Sequence, residues 1–206
     1  YRIPPAHVLA ERIEPVLAVI YLIFNEGYTA TAGDHLIRRE LCAEAIRLGR
    51  ILTVLLAQHG LAAQEPEALG LLALMLLHDS RREARVDAQG RLVTLEEQDR
   101  SRWDRAEIEE GLAILERALQ KRQPGPYQIQ AAISALHAQA KQPEKTDWVQ
   151  IVVLYAKLTR FNPSPIVELN RIAAVAMADG PRQGLLLLNR LEATGALNHY
   201  YLFHAA

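Results

Sequence analysis

Seven histidines and one cysteine are the first candidates for metal or nucleophile chemistry in this 206-residue chain. No two histidines stand at the spacing of a helical zinc pair. The lone Cys42 can form neither a CxxC motif nor an internal disulfide. A metal would need ligands gathered from distant helices, with His78 and Asp79 as the seed and Glu26 or His35 as conceivable partners. The other reading of His78 is a cation that complements the C-terminal end of a helix dipole. Cys42 lies in an apolar helical stretch, where a small buried thiol is expected. The chain carries no glycine-rich phosphate loop and no nucleophile-elbow string. Ser134 and Ser164 read as helical or capping residues without a His–Asp set. The sequence therefore predicts no enzyme, no metal and no cofactor.

The richest polar material is the segment from Asp79 to Arg105. Arg81, Arg82, Arg85, Arg91, Arg100, Arg102 and Arg105 are interleaved there with Asp79, Glu83, Asp87, Glu96, Glu97, Asp99 and Asp104. Along the chain the signs balance, which argues against a phosphate-binding stripe. Arginine stands where lysine could, and its planar fork pairs bidentately with carboxylates. Three roles stay open for the segment. It is an arginine–carboxylate network pinning an insertion to a bundle, a protein-contact surface with Trp103 as anchor, or a small-molecule pocket. The string NEGYTAT is a second polar island, in which Asn25 and Glu26 are expected to cap backbone groups or meet an arginine, Arg38 or Arg39. The interaction candidates are Asn25, Glu26, Tyr28, Arg38, Arg39, His78, Asp79, Arg81, Arg82, Arg85, Glu97, Asp99, Arg100 and Trp103.

These residues must be held by helices. Leu and Ala make up about three residues in ten, aromatics only 6%, and half the chain is apolar. A first helix is expected after Pro4 and Pro5, kinked or restarted at Pro15, with Val16–Phe24 apolar on every face and so buried all round. Asn25–Gly33 reads as a loop, and Asp34 as the cap of an amphipathic helix. That helix carries a stripe of Ile37, Leu41, Leu48, Leu52 and Leu55 and ends near Gly60. Glu65–His78 is a helix with an unusually apolar centre. Arg85-Val86 and Leu92-Val93 flank Asp87-Ala88-Gln89-Gly90, which suggests a short β-hairpin. Ser101 and Asp104 resemble a capping box before a face of Ile108, Leu112, Leu115 and Leu119. Helices follow over Tyr127–Ala140, Trp148–Arg160 capped by Asp147, Ser164–Met177 and Pro181–Ala193. A last segment from Leu197 reads as an unfinished helix. Asp147–Gly180 has the length of a tetratricopeptide (TPR) unit. The fold class is thus all-α, with a helical bundle over 1–122 and TPR-like pairs over 123–206 packed on it.

A formal net charge of −1 gives no bulk attraction to DNA or to an anionic membrane. Apolar runs fall short of a bilayer span, and Glu11, Arg12 and Glu14 interrupt any signal-peptide pattern, so a cytoplasmic protein is expected.

The strings LAVIYLIFNEGYTAT, RRELCAEAIRLGR, LGLLALMLLHDSRREAR, LEEQDRSRWDR, GPYQIQAAISALHA and NPSPIVELNRIAAVA carry a resemblance that runs through essentially the whole chain. Together they resemble the C-terminal, TPR-like extension of a group of bacterial extracytoplasmic-function (ECF) sigma factors. The resemblance implies a regulatory role in transcription initiation, with RNA polymerase core and the protein's own sigma regions as partners. Promoter DNA would be reached only through the sigma regions, which nothing in this chain resembles. It further implies that the Asp79–Arg105 segment and NEGYTAT loop form a docking face. A ligand- or metal-sensing domain around His78 and Asp79, and a free-standing TPR-like scaffold, are the alternatives.

Overall fold

The computed structural model describes residues 6–29 and 37–197. Pro4, Pro5, Asp34, His35 and the segment beyond Leu197 lie outside them. The described residues form eight α-helices and no sheet, so the fold is all-α. The chain divides into two compact units, Tyr1–Ala138 and Gln139–Ala206.

In the first unit, α1 (Ala6–Tyr28) runs unbroken through Pro15. One lost N–H is outweighed by the buried stripe of Ile13, Leu17, Ile20 and Phe24, spaced to face one side of a helix. The expected restart at Pro15 is absent, and Asn25–Tyr28 belong to the helix rather than to a loop. Nor is Val16–Phe24 buried all round: Val16, Val19 and Leu22 are exposed on the outer face. In α2 (Arg39–Gln58) the core face is Cys42, Ala45, Ile46, Gly49 and Leu56. Leu48 and Leu52, expected in its buried stripe, stand beside the core, and Leu55 is exposed. Burial follows the small residues because they let α2 approach its neighbours closely; α2 packs on both α1 and α3.

The centre is α3 (Glu65–Asp79), buried at every position from Ala68 to Leu77. A helix apolar on all sides must be enclosed, and α1, α2 and α4 (Arg105–Gln120) all pack on it. Asp104 caps α4 itself, accepting from the N–H groups of Ala106 and Glu107. The expected Ser101 capping box does not form, since Ser101 sits in a 3-10 turn that Asp99 caps. Helix α5 (Pro126–Gln139) joins this unit through Glu67 of α3. The Glu67 carboxylate accepts from the N–H groups of Tyr127 and Gln128 at 2.9 and 3.2 Å, supplying an N-cap from another element. The two helices meet at Gly70, where a Cβ would come within 2.7 Å of the Gln128 backbone nitrogen. The boundary therefore falls after Ala138 rather than at 122/123.

Between α3 and α4 the expected β-hairpin is not present. A single isolated antiparallel bridge joins Val86 and Leu92. Asp87 closes the turn, its Oδ1 accepting from the N–H groups of Gln89 and Arg91. Pairing stops there because the arms turn away into 3-10 turns at Arg82–Ala84 and Arg100–Arg102. Leu92 remains exposed, so no apolar face rewards a longer ladder.

The second unit holds α6 (Trp148–Phe161), α7 (Pro165–Asp179) and α8 (Pro181–Glu192). Asp147 caps α6 and Ser164 caps α7, as expected from the sequence. Each helix packs on the next, and Gly180, at φ +95°, makes the whole turn between α7 and α8. Among the described residues no helix is long and apolar enough to cross a membrane.

Candidate functional site

The charged insertion sorts its arginines into two groups. Arg82 is the hub of the first. Its guanidinium donates to the carboxylates of Asp79 and Glu107, the latter at 2.7 Å, and lies 3.6 Å from Asp104. Asp79 ends α3 and Glu107 begins α4, so this hub ties the central helix to the one that follows the insertion. Burial raises the pKa values of Asp79 and Glu107 against the pull of Arg82. The hub opens on a cleft of about 370 Å³ that also holds Arg39, Arg47 and Arg50. Each of these has its own acid: Arg39 pairs with Glu83 at 2.6 Å, Arg47 with Glu44 at 2.6 Å, and Arg50 with Glu110.

The second group is Arg81, Arg85 and Arg100, all buried. Arg81 donates to the Tyr28 hydroxyl at 2.9 Å. Arg85 stacks on the Tyr28 ring, 3.4 Å from its centroid, and donates to the Tyr28 carbonyl and the Thr29 hydroxyl. Arg100 donates to the His137 carbonyl at 2.9 Å and stacks on Trp103, with Arg81 on the same indole at 6.0 Å. Among the described residues no carboxylate pairs with Arg81 or Arg85. Burial, and then the Arg81 charge, hold the Arg85 guanidinium below its ordinary pKa, partly offset by Tyr28 and Cys42.

Two histidines complete this group. His78, in the last turn of α3, shares a 2.9 Å hydrogen bond between its Nε2 and the Ser134 hydroxyl. Its ring lies 5.1 Å from that of Tyr28. Burial drives its pKa well below 6.5, helped by Arg81, Arg85 and His137. His78 is therefore neutral at pH 7, which corrects the expectation of a cation at the helix end. His137 is pushed down to about 4 by burial and by Arg81 and Arg100. Ser134, expected from the sequence to be a helical or capping residue without a His–Asp set, lies in α5 and meets His78; His137 was not singled out, and its one signal is the three-residue spacing that puts it on the same face of α5 as Ser134.

The remaining candidates are placed as follows. Glu26 lies 3.7 Å from Arg38, whereas Arg39 reaches across to Glu83. The Asn25 carbonyl accepts from Thr29 N–H, so it continues the helix rather than capping it. Gly27 allows the end of α1 to touch the start of α2, since a Cβ there would lie 2.7 Å from Cys42 N. Cys42 is buried, its thiol pushed up to about 12 by desolvation. Glu97 accepts from Thr94 and stays exposed, and Asp99 serves Ser101. Trp103 is 3% exposed and belongs to the core, which rules it out as a surface anchor. Among the described residues no three of His, Cys, Asp and Glu stand together as a metal site would require.

A different surface feature had no place in the sequence reading. The exposed side of α1 and the Leu48–Leu55 side of α2 enclose a groove of about 540 Å³. Its lining is aliphatic apart from Arg12, with Val16, Val19, Ile51 and Leu55 each more than 40% or about 40% exposed.

Residues 12–119, which hold the insertion, both arginine groups and the groove, match the family of unknown function DUF6596. The chain belongs to the DUF6596 family. It is 48% identical over 204 residues to an uncharacterized protein, R00370, of Rhizobium meliloti strain 1021. That match covers 99% of this chain and 46% of the relative, so the chain spans about half the relative's length. No solved structure matches it. The DUF6596 match ends within α4, whereas α5, which carries Ser134 and His137, follows it in the chain.

Proposed function

We propose that this chain is a regulatory, protein-binding domain of an ECF-type sigma factor, acting in transcription initiation. The observation that carries the protein-binding part is the α1–α2 groove, an exposed aliphatic surface of the kind that a second polypeptide covers. The sigma-factor part is supported by the six long sequence strings and their order. The length of the Rhizobium relative, about twice that of this chain, is consistent with such a domain working beside further regions.

The docking surface differs from the one expected in the sequence. Arg81, Arg85, Arg100 and Trp103 are buried, so the insertion cannot present them to a partner without unfolding. The groove is the better face, and an amphipathic helix with aliphatic anchors at helical spacing is the partner that fits it.

The test is binding of this chain to ECF sigma regions supplied in trans and to RNA polymerase core. Val19→Asp and Ile51→Asp, both at exposed positions, are expected to weaken the complex about tenfold or more while helicity is retained. Failure to bind either partner, or equal binding by both variants, would remove this reading.

A further inference from the structure

Helix α1 carries two apolar stripes, and only one of them is used in the core. Ile13, Leu17, Ile20 and Phe24 are buried, whereas Val16, Val19 and Leu22 are 40, 56 and 66% exposed. The outer stripe is ordered along the helix. Arg12, Val16, Val19, Ile23 and Glu26 follow one another at intervals of four and three residues, the heptad period of a helix–helix seam. A cation stands at one end, a carboxylate at the other, and aliphatic side chains lie between them. Val19 is the midpoint, seven residues from Arg12 and seven from Glu26. Arg12 is exposed and has no acid partner among the described residues. Glu26 faces Arg38 at 3.7 Å, with 31% of its side chain still exposed. Ile51 and Leu55 of α2 border the stripe across the groove.

We propose that a second copy of this chain covers the groove, its α1 lying antiparallel on the first α1 about a two-fold axis at Val19. In that register, residues equidistant from Val19 face each other. Arg12 of each copy meets Glu26 of the other, Pro15 meets Ile23, Val16 meets Leu22, and Val19 meets itself. Every aliphatic side chain of the stripe then finds an aliphatic one, and both charged ends are matched, as a self-complementary two-fold interface requires. A parallel pairing would set Arg12 on Arg12 and Glu26 on Glu26, so charge fixes the direction. This self-match is what selects a second copy. A partner of other sequence needs no stripe that reads the same backwards with its charges reversed. The inference rests on the groove and not on the sigma-factor reading, since it needs no other protein. A seam this narrow gives an interface at the small end of the specific range, so a dissociation constant on the order of 10 μM is expected.

Sedimentation equilibrium of the whole chain by itself, from about 1 to 300 μM, brackets that constant. The average mass should climb from that of one chain toward that of two. Arg12→Glu and Glu26→Arg, each of which sets like charges together at both ends of the seam, should weaken association about tenfold or more. The double variant reverses both ends and should restore it, with thermal midpoints confirming that every variant is folded. Val19→Cys should cross-link to itself at an oxidant dose that leaves Glu14→Cys uncross-linked, the native thiol of Cys42 being buried. The proposal is overturned if the chain stays a monomer throughout the range. It is equally overturned if the dimer ignores Arg12→Glu or if the charge swap fails to restore it, because the contact then lies elsewhere or runs the other way. A monomer that still binds the sigma regions gives the groove to that partner and leaves the sigma reading standing. A charge-sensitive dimer that binds no sigma region removes the sigma reading alone.

Discussion

Arg82 and Arg81 are neighbours in sequence and opposites in environment. Arg82 faces α4 and gathers Asp79, Asp104 and Glu107, while Arg81 faces α1 and meets a tyrosine hydroxyl, an indole and a second guanidinium. A 3-10 turn beginning at Arg82 sends the two side chains to different helices. One is a completed electrostatic joint, whose removal harms the fold. The other is a buried cation held by a tyrosine hydroxyl and an indole rather than by acids, whose removal should harm the fold less.

The largest effect expected from breaking this contrast is at Arg82. Arg82→Met leaves Asp79 and Glu107 partly buried without a cation, and should cost about 3 kcal/mol by urea unfolding at pH 7. Because their pKa values are already raised, protonation relieves them, and the loss should shrink as pH falls toward the carboxylate range. A loss independent of pH would show that packing, not charge, is the role of Arg82.

Next is Gly27→Ala, which forces α1 away from Cys42 N and Arg38 O and so shifts Tyr28 off Arg81 and Arg85. Overpacking of this kind costs about 1–3 kcal/mol. Urea unfolding reads the loss, and unchanged stability would show that the contact between α1 and α2 yields without cost.

The pH dependence of stability sharpens the contrast further. His137 titrates near 6.5 unfolded and about 4 folded, and His78 is also lowered in the fold. Between those values the unfolded chain binds more protons, so stability is full above about pH 6.5 and falls as the pH drops toward 4. His137→Gln should flatten that acid limb in a series of urea titrations.

The smallest effect is expected at Arg81 itself. Arg81→Met keeps the stem against Trp103 and removes a buried charge that no acid pairs with among the described residues, at the cost of one hydrogen bond to Tyr28, so its unfolding free energy should lie within about 1 kcal/mol of wild type. A loss as large as that of Arg82→Met would mean the two arginines are equivalent supports.

Much of this was legible from the residues. The all-α class followed from composition and apolar period, the caps at Asp147 and Ser164 from local chemistry, and the burial of Cys42 from its apolar surroundings. These features depend on contacts within a few residues, which spacing along the chain reports directly. Where the sequence misled, the cause was a contact between distant elements. Pro15 stays helical because α1 buries one face, Asn25–Tyr28 stay helical because Gly27 docks on α2, and α5 belongs to the first unit because Glu67 caps it from α3. The site shows the same division. The sequence alone determined that seven arginines and seven acids would be interleaved in one insertion and that His78 would stand beside it. Only the tertiary structure decided which arginines met acids, because pairing is set by which helix each side chain faces, and charge counted along a chain carries no direction.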